Sequence, residues 1–232
     1  MKRNINKAFI LIICASICLT GCTTINKLES YDLSGSSIAL DLQAPTGPVV
    51  NVDYHLSGHD DPPLLAAVKM GTNLIKAGEA KKTEEKLYAA LKGLYLPEFV
   101  AELTFDRTVK TLEAEMIGKK SGADVIQEID IEEYGIQTWS SSGYVSMMIE
   151  MTARLYHTGS REVIWQRRVS ADDEITPAMF GFDHLVGNFV TIASLSSLEE
   201  DQLSKGFKKL MIEIAGKTIG VLQDDLREAR RR

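Results

Sequence analysis

Cysteine is scarce in this chain of 232 residues, and its three copies all lie within the first 22 positions. Cys14 and Cys18 fall inside an apolar N-terminal stretch, and Cys22 follows directly after it. Residues 23–232 therefore hold no thiol that could form a disulfide, act as a nucleophile or ligate a metal.

A hydrophobic run of the length that spans a bilayer, about 20 residues, is also missing. The apolar stretch at residues 8–20 has 13 residues and follows three basic side chains, Lys2, Arg3 and Lys7. A basic start, a short apolar region and small residues at its end are typical of a secretory signal peptide.

Basic residues are fewer than acidic ones: the chain has 26 Lys and Arg residues and 32 Asp and Glu residues, which gives a net charge of −6. Loss of residues 1–21 would remove three basic side chains and no acidic one, which lowers the net charge to −9. A chain this acidic is not expected to bind nucleic acid, and it has no polybasic segment for an anionic membrane.

The end of the apolar stretch, Leu19-Thr20-Gly21-Cys22, resembles the lipobox of bacterial lipoproteins. The resemblance implies cleavage between Gly21 and Cys22 and acylation of Cys22 at its thiol and at its new amino group. At ~0.8 kcal/mol per buried CH₂, two or three acyl chains would anchor the protein almost irreversibly. Thr23 and Thr24 follow in place of the aspartate that retains such lipoproteins at the inner membrane, so the resemblance implies the periplasmic face of the outer membrane. The alternative is an ordinary signal peptide with a chance cysteine.

The chain then divides into three expected parts. Residues 1–21 are the signal peptide, residues 22–34 the lipid anchor and a short polar tether, and residues 35–232 a single periplasmic domain. Cleavage would leave 211 residues, and a composition that is 44% apolar is enough for one sizeable core.

Hydrophobic periodicity predicts the elements of that domain. Residues 37–42 and 49–56 read as short strands, and the middle of the chain reads as helical. A helix is expected to open at Pro97, to carry Met116 on its apolar side and to end at Gly118 or Gly122.

The second half of the chain predicts a hairpin and a closing helix. Alternating apolar residues at 145–155 indicate a half-buried strand, and residues 163–169 return antiparallel to it. Ser197 with Glu200 predicts a capping box at the start of a long helix. We therefore expect an α+β fold, with an antiparallel sheet covered by helices on one face, a helical central segment and a long C-terminal helix.

Three segments of this region carry a second resemblance: Gly122-Ala123-Asp124-Val125-Ile126, Thr152-Ala153-Arg154-Leu155-Tyr156-His157-Thr158-Gly159 and Val163-Ile164-Trp165. In this order they resemble the α/β domain of periplasmic lipoproteins related to the curli secretion lipoprotein, over residues 99–225. Pore formers of that family insert membrane hairpins between strands. Here the connection at residues 137–143 is short and polar, so a pore is not expected.

Acidic residues cluster where the first strand of this region is predicted: Asp124, Glu128, Asp130, Glu132 and Glu133. Two carboxylates in different environments can divide acid and base roles. Carboxylates on one exposed strand face share a single environment, so we interpret this cluster as a solvated sheet face.

His55 and His59, with Asp60 and Asp61, offer nitrogen and oxygen donors for a divalent metal. Glycine and proline around them predict a loop in which Asp61 caps a helix. We therefore expect a solvated turn there, and no metal site or cofactor.

Two apolar features suggest a partner surface. Residues 179–195 are mostly apolar and contain Phe180, Phe182 and Phe189, so the segment is either a buried helix or an exposed contact with a partner or lipid. Trp139 is a second candidate aromatic contact, with hairpin packing as its alternative. The arginines at residues 227–232 either complement a helix dipole or meet lipid phosphates.

No catalytic signature stands out in the chain. The sequence therefore predicts a non-enzymatic, lipid-anchored module of the cell envelope that binds another envelope protein or copies of itself. An accessory lipoprotein of an envelope transporter is the alternative function, and an envelope hydrolase that uses the acidic strand or the His55 to Asp61 loop is a third.

Overall fold

One mixed sheet with helices packed on it makes up the part of the chain that the computed structural model describes, residues 24–51, 81, 85–138, 145–175 and 199–231. The strands are β1 (Ile25–Asn26), β2 (Ser37–Gln43), β3 (Val49–Asn51), β4 (Glu115–Met116), β5 (Val125–Thr138), β6 (Val145–His157) and β7 (Val163–Glu174). The helices are a 3₁₀ turn (Leu28–Ser30), a helical segment at residues 85–91, α1 (Leu96–Leu112) and α2 (Glu200–Ala229).

The strand order is β1-β7-β6-β5-β2-β4, and β3 pairs with β5 beyond the end of β2. The pairs β5–β6, β6–β7 and β7–β1 are antiparallel, whereas β2 and β3 both run parallel to β5, and β4 runs parallel to β2. The expectation of an antiparallel sheet is therefore wrong, because the sheet is mixed. Parallel strands need a long crossover that usually contains a helix, and the helical segment at residues 85–91 and α1 lie between β3 and β5 along the chain.

Strand β6 has the burial pattern that its sequence predicts. Its alternate residues Met147, Ile149, Met151, Ala153 and Leu155 are all inaccessible to solvent. They face the layer of α1 and α2, so the described helices cover one face of the sheet, as expected.

Helix α1 is shorter than predicted. It begins at Leu96 with Pro97 in its first turn, and it ends because Glu113 adopts a left-handed conformation, φ +55°. The predicted end at Gly118 or Gly122 is therefore wrong. Met116 lies in β4 and is 53% exposed instead of lying on the apolar side of the helix.

Helix α2 has 30 residues and begins with a capping box formed by Glu199 and Gln202, whereas the sequence predicted one formed by Ser197 and Glu200. Glu199 caps the helix, and its backbone N–H donates to the Gln202 side chain at 3.0 Å. Ser197 lies outside the described residues. Leu203, Phe207, Leu210 and Ile214 form a buried stripe along the helix.

The N-terminal segment joins the sheet. β1 adds to the edge of β7, with Ile25 opposite Gln166, and Lys27 N–H donates to the Ile164 carbonyl at 2.8 Å. Leu28 and Leu33 are buried in the core. These residues lie within the segment that we expected to form a tether.

Candidate functional site on the open face of the sheet

The sheet face opposite α1 and α2 carries charged side chains because β5, β6 and β7 alternate apolar and polar residues. The even-numbered residues of β5 from Glu128 to Glu132 lie on this face, whereas Val125, Ile129 and Ile131 are buried on the other. Helices α1 and α2 pack on the opposite face. We call the charged face the open face.

Arg154 is the first centre of an ion-pair network on the open face. It contacts Glu128, directly opposite on β5, and its Nη1 lies 3.9 Å from the Asp130 carboxylate. Its Nε donates to Gln166 on β7 at 3.0 Å. Arg154 therefore connects three neighbouring strands.

Arg168 is the second centre. Its Nη2 lies 2.8 Å from Glu132 on β5, and its Nε lies 2.7 Å from Glu150 on β6. The hydroxyl of Thr152 also donates to Glu132. Two guanidinium groups thus hold four carboxylates across the strands.

The acidic residues singled out in the sequence take different roles. Burial, and secondarily Glu132 and Glu128, raise the pKa of Asp130 against the opposing effect of Arg154. Asp124 lies apart from this network and accepts hydrogen bonds from the backbone N–H and the hydroxyl of Ser37, which lower its pKa. Within the described ranges, no group of three or more histidine, cysteine or acidic residues is arranged to hold a metal ion.

A groove of about 470 Å³ lies at one end of the open face, beside the β6–β7 turn. Ile126, Tyr156 and Val163 give it apolar walls. Its polar lining consists of Lys120, Glu128, Arg154, Thr158 and Arg161. Burial, followed by the nearby carboxylates of Asp41 and Glu128, raises the pKa of the Tyr156 phenol.

The groove was not identified in the sequence, although one signal was available. Ile126 interrupts the alternation of β5 by placing an apolar side chain on the charged face. There it packs with Ala39 and Ala123, and Tyr156 packs against this small cluster.

The same end of the domain holds the N-terminal segment in place. Lys27 pairs with Glu162 of the β6–β7 turn at 2.7 Å, and the Tyr31 hydroxyl donates to the same carboxylate at 2.8 Å. Behind them, Asp225 of α2 accepts hydrogen bonds from Trp165 and Arg167, each at 2.7 Å. The sheet, the N-terminal segment and α2 therefore meet at the end of the domain that holds the groove.

Several predicted site residues lie outside the described residues: Gly21, Cys22, His55, His59, Asp60, Asp61, Trp139, Phe180, Phe182 and Phe189. Their predicted roles in lipidation, metal binding and partner contact stay predictions. None of the described helices combines the length and the apolar character needed to cross a membrane.

Comparison with known proteins shows no family for this chain. No family model matches it, and no curated protein does. A Xanthomonas campestris protein of the DUF330 family model aligns at 14% identity and a TM-score of 0.32, over 89% of this chain and 96% of that one. A PelC dodecamer from Paraburkholderia phytofirmans aligns at 10% identity and a TM-score of 0.33, over 84% and 92%. A candidate lipoprotein from Caulobacter crescentus aligns at 14% identity and a TM-score of 0.21, over 52% and 84%. TM-scores this low carry no argument about function.

Proposed function

We propose that this protein is a lipid-anchored module of the cell envelope that binds another envelope protein and performs no catalysis. One observation carries the proposal: the sequence Leu19-Thr20-Gly21-Cys22 stands three residues before a strand of the folded domain. The acylated Cys22 would hold the domain at the periplasmic face of the outer membrane.

The short stretch of chain between Cys22 and β1 determines how the domain would lie on the membrane. An extended chain covers at most about 3.6 Å per residue, so Cys22 lies within about 11 Å of Ile25. Ile25 is paired with β7, and Leu28 and Leu33 are buried in the core. The anchor would therefore hold the domain close to the bilayer surface, with β1 on the membrane side.

Replacement of Cys22 by serine tests the anchor. We expect the Cys22→Ser protein to be released or mislocalised with its fold intact, because acylation requires the thiol. Mass spectrometry of the mature N-terminus and fractionation of the envelope measure this. Cys18→Ser is the matched control, since Cys18 would leave with the leader. A Cys22→Ser protein that is still processed and membrane-bound would contradict the proposal.

The open face is the proposed partner surface. It presents two arginines and four carboxylates that can exchange ion pairs with a charged protein surface, which favours selective binding. A photo-crosslinking amino acid at Ser170, exposed on this face, should capture one defined envelope protein in intact cells. The same group at Lys208, exposed on α2, is the control and should capture none. Recovery of free monomer alone from both positions would count against the proposal.

A further inference from the structure

Arg161 is held in an unusual backbone conformation beside the groove. Its φ is +57°, in the left-handed region, within the turn that joins β6 and β7. Glycine and asparagine suit this region, whereas a long side chain is strained there. Strain of this kind concentrates at functional sites. The turn thus keeps an arginine where a glycine would relieve the strain.

A β-bulge lies next to this turn. The pairing of β6 with β7 shifts between Leu155 and Tyr156, which brings Tyr156 opposite Val163. Bulges redirect side chains and are frequent next to binding sites. Both Tyr156 and Val163 line the groove, so the irregularity shapes its apolar part.

The charges of the groove leave one cation available for a ligand. Lys120 pairs with Asp41, and Arg154 pairs with Glu128. Arg161 has no ion pair with the residues that the structure describes. The buried hydroxyl of Thr158, which also lines the groove, likewise has no hydrogen-bond partner in the described part of the chain.

A guanidinium with five donors in a planar fork matches a phosphate group, and apolar walls suit the carbon atoms attached to it. We propose that the groove binds the phosphate of an anionic phospholipid headgroup at the membrane surface, with Arg161 as the main donor. The Thr158 hydroxyl supplies a second donor after rotation about χ1.

This inference rests on the proposed function, because the anchor brings the groove to the bilayer. Val163, which lines the groove, is three residues from Gln166, and Gln166 lies opposite Ile25, so this edge of the groove is about 10 Å along the sheet from Ile25. Since the domain is acidic overall, no general attraction draws it to an anionic surface. The contact is therefore local and depends on single residues.

Chemical protection of Arg161 tests the proposal. The full, lipidated chain is reconstituted into vesicles of phosphatidylcholine, with or without phosphatidylglycerol, and the modification of each arginine by phenylglyoxal is followed by mass spectrometry. We expect Arg161 to react about tenfold more slowly on the vesicles that contain phosphatidylglycerol. Arg107 on α1 is the internal reference and should react equally on both. Equal rates for Arg161 on the two kinds of vesicle would overturn the proposal.

Two variants separate binding from folding. Arg161→Gly should fold at least as stably as the parent chain yet lose the thermal stabilisation that phosphatidylglycerol provides, and Thr158→Val should retain only part of it. Lys208→Ala, which removes a charge far along α2, should keep it.

Two further arms identify the source of the phosphate. Protection of Arg161 by inorganic phosphate on phosphatidylcholine vesicles, equal to that by phosphatidylglycerol, would overturn the lipid assignment. If the purified chain carries no acyl chains, it will not float with phosphatidylcholine vesicles. That result would contradict the lipid anchor but would not by itself contradict the groove. Protection of that chain by added phosphatidylglycerol vesicles would still support the groove, and lack of protection would overturn it.

Discussion

Asp225 joins the C-terminal helix to the sheet, and its replacement should be the most damaging single change at this end of the domain. Its carboxylate accepts hydrogen bonds from the indole N–H of Trp165 and from Nη2 of Arg167. Trp165 is fully buried, and the side chains of Arg167 and Asp225 are 16% and 10% exposed. We expect Asp225→Ala to lower the free energy of unfolding by about 3–4 kcal/mol.

Two losses contribute to this figure. A buried indole N–H without an acceptor costs about 1–3 kcal/mol. Breaking a buried ion pair from one side costs about 3–5 kcal/mol, because a charge is left without its partner. Both losses involve one carboxylate, and the pair keeps some solvent contact, so the two values do not add.

Urea unfolding measures the effect as a lower midpoint at unchanged slope. Asp225→Asn is the matched variant, since its side-chain oxygen can still accept from Trp165, and it should cost less, about 1.5–3 kcal/mol. In a protein that already carries Arg167→Met, Asp225→Asn should lower the free energy of unfolding by less than it does in the parent chain. A loss under about 1 kcal/mol for Asp225→Ala, within the range of ordinary surface changes, would refute the reasoning.

Three further changes test local features of the fold. Gly135→Ala should destabilise the protein by about 2 kcal/mol or more, because φ at Gly135 is +150° and a Cβ would meet the Val49 carbonyl oxygen at 1.9 Å. Gly220→Ala should stabilise it by about 0.5–1 kcal/mol, since a Cβ there meets no atom within 4 Å inside a helix. Hydrogen bonds from Ser37 lower the pKa of Asp124 in the folded state. This stabilisation is complete above the unfolded pKa, about 3.9, and is lost as the pH falls through the lower folded pKa, so Ser37→Ala should reduce the acid sensitivity.

Each of these changes has a control measured by the same urea titrations. Gly118→Ala should leave stability almost unchanged, because a Cβ there meets nothing within 4 Å. Gly206→Ala should stabilise less than Gly220→Ala or destabilise, because a Cβ would lie 2.3 Å from the Met147 methyl group. Asp130 has a raised pKa in the folded state, so Asp130→Asn should increase the acid sensitivity, whereas Ser37→Ala should reduce it. Equal effects of Gly206→Ala and Gly220→Ala, or an unaltered acid response of Ser37→Ala, would contradict the arguments from packing and from linkage.

The sequence predicted the positions of strands and helices better than it predicted which strands pair in the sheet. Strand β6 and helix α2 were predictable because one apolar period runs through each of them without a break. Parallel pairing of β2 and β3 with β5 was not, since periodicity reports which face is buried and carries no information about the neighbouring strand. The early end of α1 at Leu112 was also hidden, because Glu113 takes its left-handed conformation without a glycine to signal it.

The exceptions to periodicity proved the most informative residues of β5. Gln127 places a polar side chain on the buried face, where its amide donates to the Thr108 hydroxyl of α1 at 3.0 Å. Ile126 does the reverse and forms part of the groove on the open face. A bulge between Ile131 and Glu133 then reverses the parity, so that Tyr134 and Ile136 are buried after it. A charged face can therefore be read from sequence alternation, whereas the contacts across it depend on bulges, which shift the register and which alternation alone does not reveal.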